Sequence, residues 1–389
     1  MSTESAGGGM EGQHRYLMDF SLGLVNRTGA FIICRDLLEE LPEFFSEVRY
    51  WRMFLTRTPD GLPRKIAARL MMQELKLMRG YEHFLWPDGD PRPNRHRLIL
   101  DPLYVLRSKL EPTDIVQCHD VGPVTHPELF GPSISGLYRE AYDRIQRVGP
   151  GVVFVSDASQ SVFRSLYGDK FRFLQTVAQY VRPGVISGRV EPVPGISTPF
   201  LLTVGALEHR KNHIRVIEAY AKSGLHQRGI GYVFCGARGI GSTEILEAAA
   251  RTPGVKALGY VTEAQLRWLY QNGSGFVLPS LLEGFGLPPL EAAQRGLVPL
   301  VSAGGAQEEA IGGAGVLVDP ESVDSIREGL LRLVDMNDEQ KRFYLGRATK
   351  RSEVLSYSRY IAGWNKVLTR NNRFENTNGL ASEDPEEAF

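Results

Sequence analysis

The sequence predicts an α/β protein made of two parallel-sheet domains, and three observations carry that expectation. The chain has 389 residues and a mass of 43.4 kDa, too large for one hydrophobic core and suited to two domains of roughly 150 to 200 residues. Short apolar, β-branched runs alternate with helical patterns from about residue 112 to 333, as in a parallel sheet wrapped by helices. Residues 181–199 carry four prolines and no period, which marks a linker.

In the first half, residues 28–34, 97–103, 114–120 and 151–157 read as strands. In the second half, residues 200–206, 231–237, 255–260, 274–280, 297–303 and 314–320 do so. Each of the latter is apolar on both faces, as a sheet covered on both sides requires. Helical stretches at 212–223, 263–271 and 289–295 lie between them, completing a doubly wound unit. The expected domains are 1–185, a linker at 186–199, a second domain at 200–352, a helix at 353–370 and a polar, disordered tail at 371–389. Ligands of such sheets sit beyond the carboxyl ends of the strands, so the expected site is a cleft between the two domains.

Composition narrows the function. With 42% hydrophobic and 23% charged residues, the whole chain is neither disordered nor a disulfide scaffold. Basic and acidic residues number 45 each, so no global charge excess points to nucleic acid. Cys34, Cys118 and Cys235 lie far apart and read as buried thiols. The first residues lack the layout of a secretory signal, and no apolar run of about 18 residues occurs. A cytoplasmic protein is expected.

Two turns carry the chemistry. Residues 279–305 run PSLLEGFGLPPLEAAQRGLVPLVSAGG. After a strand comes a glycine-rich turn, Glu283 to Gly286, and Pro288 and Pro289 then open a helix. Amides of such a turn converge with the positive helix end into an anion site. Glu283 and Glu291 stand eight residues apart, so they can hold different parts of one ligand, although helix-start acids are common without any ligand. The second turn, in LLTVGALEHRKNHIRVIEAY, brings Arg210 and Lys211 to the end of a strand before a helix that Asn212 is placed to cap. Two cations and a helix start suit a pyrophosphate, though such a turn can equally be a solvated basic surface. His209 and His213 lack a third ligand and do not read as a metal pair.

The segments VGALEHRKN, LGYVTEAQLRWLY, PSLLEGFGLPPLE and GVLVDP, in this order and spacing, resemble the retaining glycosyltransferases of the GT-B fold, family 4. The resemblance covers about residues 112–370. It implies two Rossmann-like domains facing across a cleft, and transfer of a mannose- or glucose-type sugar from a nucleoside-diphosphate sugar to a glycan or lipid-linked hydroxyl in polysaccharide biosynthesis. It implies that Glu291 binds the ribose, Glu283 a donor-sugar hydroxyl, and the amides of Gly284, Phe285, Gly286 and Leu287 the sugar and phosphate. Lys211, with Arg210, would hold the pyrophosphate, and the base would meet the backbone near Tyr260 and Val261. In DIVQCHDVGPVTHPELFG the resemblance places His119 and Asp120 on the opposite wall, with His119 on the transferred sugar. No metal or other cofactor is expected.

The chain departs from the family in three places. Members usually open with a strand before a glycine-rich loop, whereas here Gly7, Gly8 and Gly9 come almost at once, so the first strand reads as lost or the start as late. On that ground a catalytically silent, glycosyltransferase-like partner subunit is the alternative, and a nucleotide-sugar epimerase a third reading. Ala206 stands where members often carry a basic residue, leaving that contact to Arg210. Residues 48–94 match nothing in the family. From residue 49 to 109 there are 13 basic and 6 acidic residues. A helix over 63–79 would carry Ile66, Leu70, Met71, Leu75 and Met78 on one face and Lys65, Arg69 and Lys76 on another. It either buries the apolar face in the domain or rests on anionic lipid or a diphosphate carrier at the inner membrane face. Two decoys are set aside: GARGIG at 236–241 has the wrong glycine spacing for a dinucleotide loop, and Asp88 and Asp90 lie in a proline-rich loop with no strand before it.

Overall fold

The computed structural model describes residues 15–25, 29–77, 96–107, 109–181 and 188–379. The glycine stretch at 7–9, Met78, and Asp88 and Asp90 lie outside the described residues. Two sheets form, as the alternation predicts. The first contains β1 (Tyr16–Asp19), β2 (Phe45–Tyr50), β3 (Met53–Phe54), β4 (Arg97–Ile99), β5 (Ile115–Cys118), β6 (Gly151–Phe154) and β7 (Phe173–Thr176). Their spatial order is 3-2-1-4-5-6-7, parallel except for the β2–β3 hairpin. The second contains β8 (Phe200–Val204), β9 (Gly231–Cys235), β10 (Val255–Ala257), β11 (Gly275–Leu278), β12 (Pro299–Ser302) and β13 (Val316–Val318), in the order 10-9-8-11-12-13. In each sheet the order reverses at one pair of neighbours, β1/β4 and β8/β11, and a crevice opens beyond their carboxyl ends.

Several expectations are corrected. The first strand is not lost: β1 sits in the middle of its sheet, Leu17 pairing with Arg97 on one side and Glu47 on the other. Its sequence, YLMD, has no β-branched residue and is too short to show a period. The strand expected at 28–34 is a helix, Gly29–Glu40. Ile32 and Ile33 suggest a strand, but Cys34, Leu37 and Leu41 continue the burial at helical spacing, and periodicity outweighs local propensity. The helix expected at 353–370 starts at Tyr357 and runs to Gly379, after a separate helix Asp338–Val354. Tyr360, Trp364, Val367 and Leu368 bury themselves in the core of the first sheet. Asn371 and Asn372, expected in the disordered tail, are buried, and Asn371 Nδ2 donates to Tyr16 Oη at 2.8 Å and to Thr113 O at 3.0 Å.

Contacts between the two halves are specific. Phe285 and Leu290 from the second pack with Val155 and Val181 from the first and with Leu355. The Glu309 carboxylate accepts from Asp157 N at 2.9 Å and Ala158 N at 2.7 Å, capping the helix Asp157–Tyr167 from across the chain.

Candidate active site

The β8 and β11 turns are neighbours because their strands pair, Leu201 with Gly275 and Leu202 with Phe276. Bonds to backbone carbonyls lace the turns together. Leu281 N donates to Arg210 O at 2.8 Å. Asn212, at φ 63°, leaves the following helix uncapped and instead donates through Nδ2 to Pro279 O at 2.9 Å and Pro320 O at 2.7 Å. The expected capping role of Asn212 thus gives way to a strut between turns.

The result is a charge cluster. Lys211 Nζ pairs with Glu283 Oε1, which also accepts from Ser280 Oγ at 2.8 Å. Arg210 Nη1 lies 3.3 Å from Glu283 Oε2, and Arg210 Nε donates to Glu208 Oε2 at 2.7 Å. Burial by itself would raise the Glu283 carboxyl, but Lys211 and Arg210 outweigh it and hold the group below its usual value. Burial, reinforced by Arg210, lowers the Lys211 ammonium despite Glu283. Arg210 is raised, because Glu283, Glu208 and Asp120 together exceed its burial penalty.

Glu291 sits inside the helix Leu287–Gln294, which opens with prolines as expected. It is buried and accepts from Tyr270 Oη at 3.3 Å. The glycines of the turn have distinct reasons. A Cβ on Gly284 would stand 2.3 Å from the His119 carbonyl oxygen, so the close approach of the two walls needs glycine there. Gly286 has φ 114°, where other side chains are strained. Phe285 anchors the turn by burying its ring in the interdomain cluster.

On the facing wall His119 Nε2 lies 3.0 Å from Leu100 O. A carbonyl only accepts, so Nε2 carries the proton and a neutral ring has its lone pair on Nδ1. Asp120 Oδ1 accepts from Gly122 N at 2.8 Å, and burial raises its carboxyl although Arg210 opposes this. Asp101, after β4, accepts from Tyr138 Oη at 3.0 Å and is likewise raised by burial.

A cleft of about 570 Å³ brings together His119, Arg210, Lys211, Glu283, Gly284 to Leu287 and Glu291. It also takes in Asp101, Tyr138, Glu208, Ile240 and Leu266, none of which the sequence singled out. Glu208 adjoins the R-K-N turn and could have been found from its place there. Asp101 and Tyr138 carried no such mark. Tyr260 and Val261 are not brought into this lining: Tyr260 is 84% exposed and Val261 packs against the core of the second domain. Both follow β10, an edge strand two positions from β8.

Comparison with known proteins places the chain among sugar-transferring relatives in sequence and fold. The family model for glycosyl transferases group 1 matches residues 193–351. An O-antigen chain mannosyltransferase B of Escherichia coli is 34% identical over 137 residues, covering 34% of this chain and 36% of that protein. A serotype-specific mannosyltransferase WbdA of Escherichia coli is 27% identical over 231 residues, covering 54% of this chain and 28% of that protein. The match therefore spans about a third of these curated relatives' length. Sucrose-phosphate synthase from Thermosynechococcus elongatus superposes with a TM-score of 0.63 at 16% identity, over 95% of this chain and 100% of that one. An α,α-trehalose-phosphate synthase from Burkholderia xenovorans does so with a TM-score of 0.58 at 13% identity, over 77% and 75%. At such identities the likeness establishes the fold, which is GT-B. The segment that holds Lys211, Glu283 and Glu291 is thus the part of the chain that matches the glycosyl transferases group 1.

Proposed function

We propose that the protein transfers a mannose- or glucose-type sugar from a nucleoside-diphosphate sugar to a hydroxyl of a glycan or lipid-linked acceptor, with the anomeric configuration retained. The observation that carries the reading is the convergence of Lys211, Arg210, Glu283 and Glu291, from two turns and one helix, in a single interdomain cleft. The mannosyltransferase relatives favour GDP-mannose as the first donor to test. The silent-subunit alternative drew on a lost first strand, and β1 is present.

The charge cluster suggests how the donor is received. The ammonium of Lys211 and the guanidinium of Arg210 are both engaged by Glu283. A pyrophosphate entering the cleft competes for both cations, and Glu283, released from them, can accept from a sugar hydroxyl. Glu291 takes the ribose hydroxyls with Tyr270 bracing its carboxylate. The amides of Gly284 to Leu287 face the phosphate and sugar, and His119 offers a hydrogen-bonding ring across the cleft. Bond breaking at C1 moves negative charge onto the leaving diphosphate, which Lys211, Arg210 and the turn amides stabilise without a metal. The acceptor oxygen bonds to C1 on the face the diphosphate leaves, and its proton passes to a departing phosphate oxygen. The fit of the two walls at Gly284 and His119 helps to exclude water.

A lipid-linked acceptor would bring the protein to the inner membrane face, with residues 49–109 as its contact. Among the described residues no helix is long and apolar enough to cross a membrane. The test is to incubate purified protein with GDP-mannose, UDP-glucose or UDP-N-acetylglucosamine and follow nucleoside diphosphate release with and without acceptor. Release that depends on one donor and on acceptor supports the reading. No release from any donor with any acceptor overturns it, and free epimerised sugar would indicate an epimerase.

A further inference from the structure

The helix Gly61–Leu77 carries two apolar stripes rather than the one expected. At about 100° per residue, Ala67, Met71 and Leu75 share one side, and all three are buried. Leu62, Ile66, Leu70 and Leu77 share a second, separate side, and they are 69%, 52%, 51% and 71% exposed. Lys65, Arg69 and Lys76 form a third stripe directly beside that exposed one, all turned to solvent. Among the described residues none of these three cations is ion-paired, whereas Glu74 is engaged by Trp51 Nε1 and Arg52. The β2–β3 hairpin, tied to the helix through those bonds, adds exposed Phe54 and Leu55.

We propose that this face docks on an anionic bilayer, with Leu62, Ile66, Leu70 and Leu77 at the acyl boundary and Lys65, Arg69 and Lys76 on headgroup phosphates. An apolar stripe flanked by unpaired cations matches the layering of a lipid interface. A second copy related by two-fold symmetry would bring the same cations against each other. The helix is anchored beside the cleft: Arg64 Nη1 donates to Leu24 O at 2.6 Å, and Leu22 of that same short helix lines the cleft. The proposal rests on the transferase reading only for why a bilayer should lie next to the acceptor wall.

The test is flotation of the full chain with vesicles of phosphatidylcholine alone or with one third phosphatidylglycerol. The wild type should bind the anionic vesicles at least tenfold more tightly than the neutral ones, and high salt should weaken that binding. The Leu62→Gln, Ile66→Gln, Leu70→Gln variant and the Lys65→Gln, Arg69→Gln, Lys76→Gln variant should each lose tenfold or more. All six positions are exposed, and circular dichroism with donor-induced thermal stabilisation shows that fold and donor site survive. Wild-type protein that ignores anionic vesicles, or variants that bind them as the wild type does, overturn the proposal. So does a dimer in light scattering that the apolar variant abolishes, which would give the face to a second copy. Vesicle binding without nucleoside diphosphate release would sink the transferase reading and leave this one standing.

Discussion

Lys211 and Glu283 lie 72 residues apart in the chain and form a buried ion pair where the β8 and β11 turns meet. The pair stands at the point where the strand order of the second sheet reverses. A cation and an acid there are exposed to any ligand entering the crevice.

Removing the cation should damage turnover more than fold. Lys211→Ala should lower kcat at least a hundredfold, about 2.7 to 4 kcal/mol on the scale of a lost transition-state donor. Nucleoside diphosphate release under saturating donor reads this. Unchanged turnover would remove Lys211 from the chemistry.

Replacing the acid tests the electrostatics through pH. The folded Glu283 carboxyl lies below its ordinary value of 4.5, so its ionisation adds stability that is complete above that value and lost as pH falls through the lower folded value. Glu283→Gln, which leaves two buried cations without their shared partner, should be about 3 kcal/mol less stable at neutral pH. The difference from wild type should shrink as pH falls below the ordinary value of 4.5 and through the lower folded one. Denaturant titrations of both proteins across this range check it; a difference constant with pH would contradict the assignment.

Glu291 and Tyr270 should separate binding from bracing. Glu291→Ala should abolish thermal stabilisation by the donor. Tyr270→Phe, which removes the hydrogen bond to Glu291 at 3.3 Å, should raise the donor KM several-fold, about 1 kcal/mol, with kcat little changed. Equal effects from the two substitutions would argue against a direct contact by Glu291.

The cap that Glu309 places on the helix Asp157–Tyr167 joins the two halves. Glu309→Ala should cost about 1 kcal/mol of stability as a lost helix cap. It should also widen the particle measured by small-angle scattering, since a polar link between the halves is gone. A variant with wild-type dimensions would limit Glu309 to a local role.

Much of the donor side was legible because its residues lie in two short turns with their own signature: a strand, then R-K-N, and a strand, then E-G-F-G-L-P-P-L-E. The first half was less so. β1 carries Tyr, Leu, Met and Asp with no alternation, and buried Asp19 is met by Arg49 at 2.7 Å and Arg107 at 3.9 Å, partners 30 and 88 residues away. The helix Gly29–Glu40 hid behind two isoleucines. The exposed stripe on Gly61–Leu77 was invisible because sequence shows that a residue is apolar, not which of two apolar sides meets a core. Glu309 and Tyr270 act across long stretches of chain, and no local pattern announces either.

The central claim is that Lys211, Glu283 and Glu291 grip one sugar nucleotide, and nucleoside diphosphate binding tests it most directly. Calorimetric titration of wild type, Lys211→Ala and Glu291→Ala with GDP and with UDP should show one nucleotide bound by the wild type and weakened at least tenfold in each variant. If neither nucleotide binds, or both variants bind as the wild type does, the account is wrong.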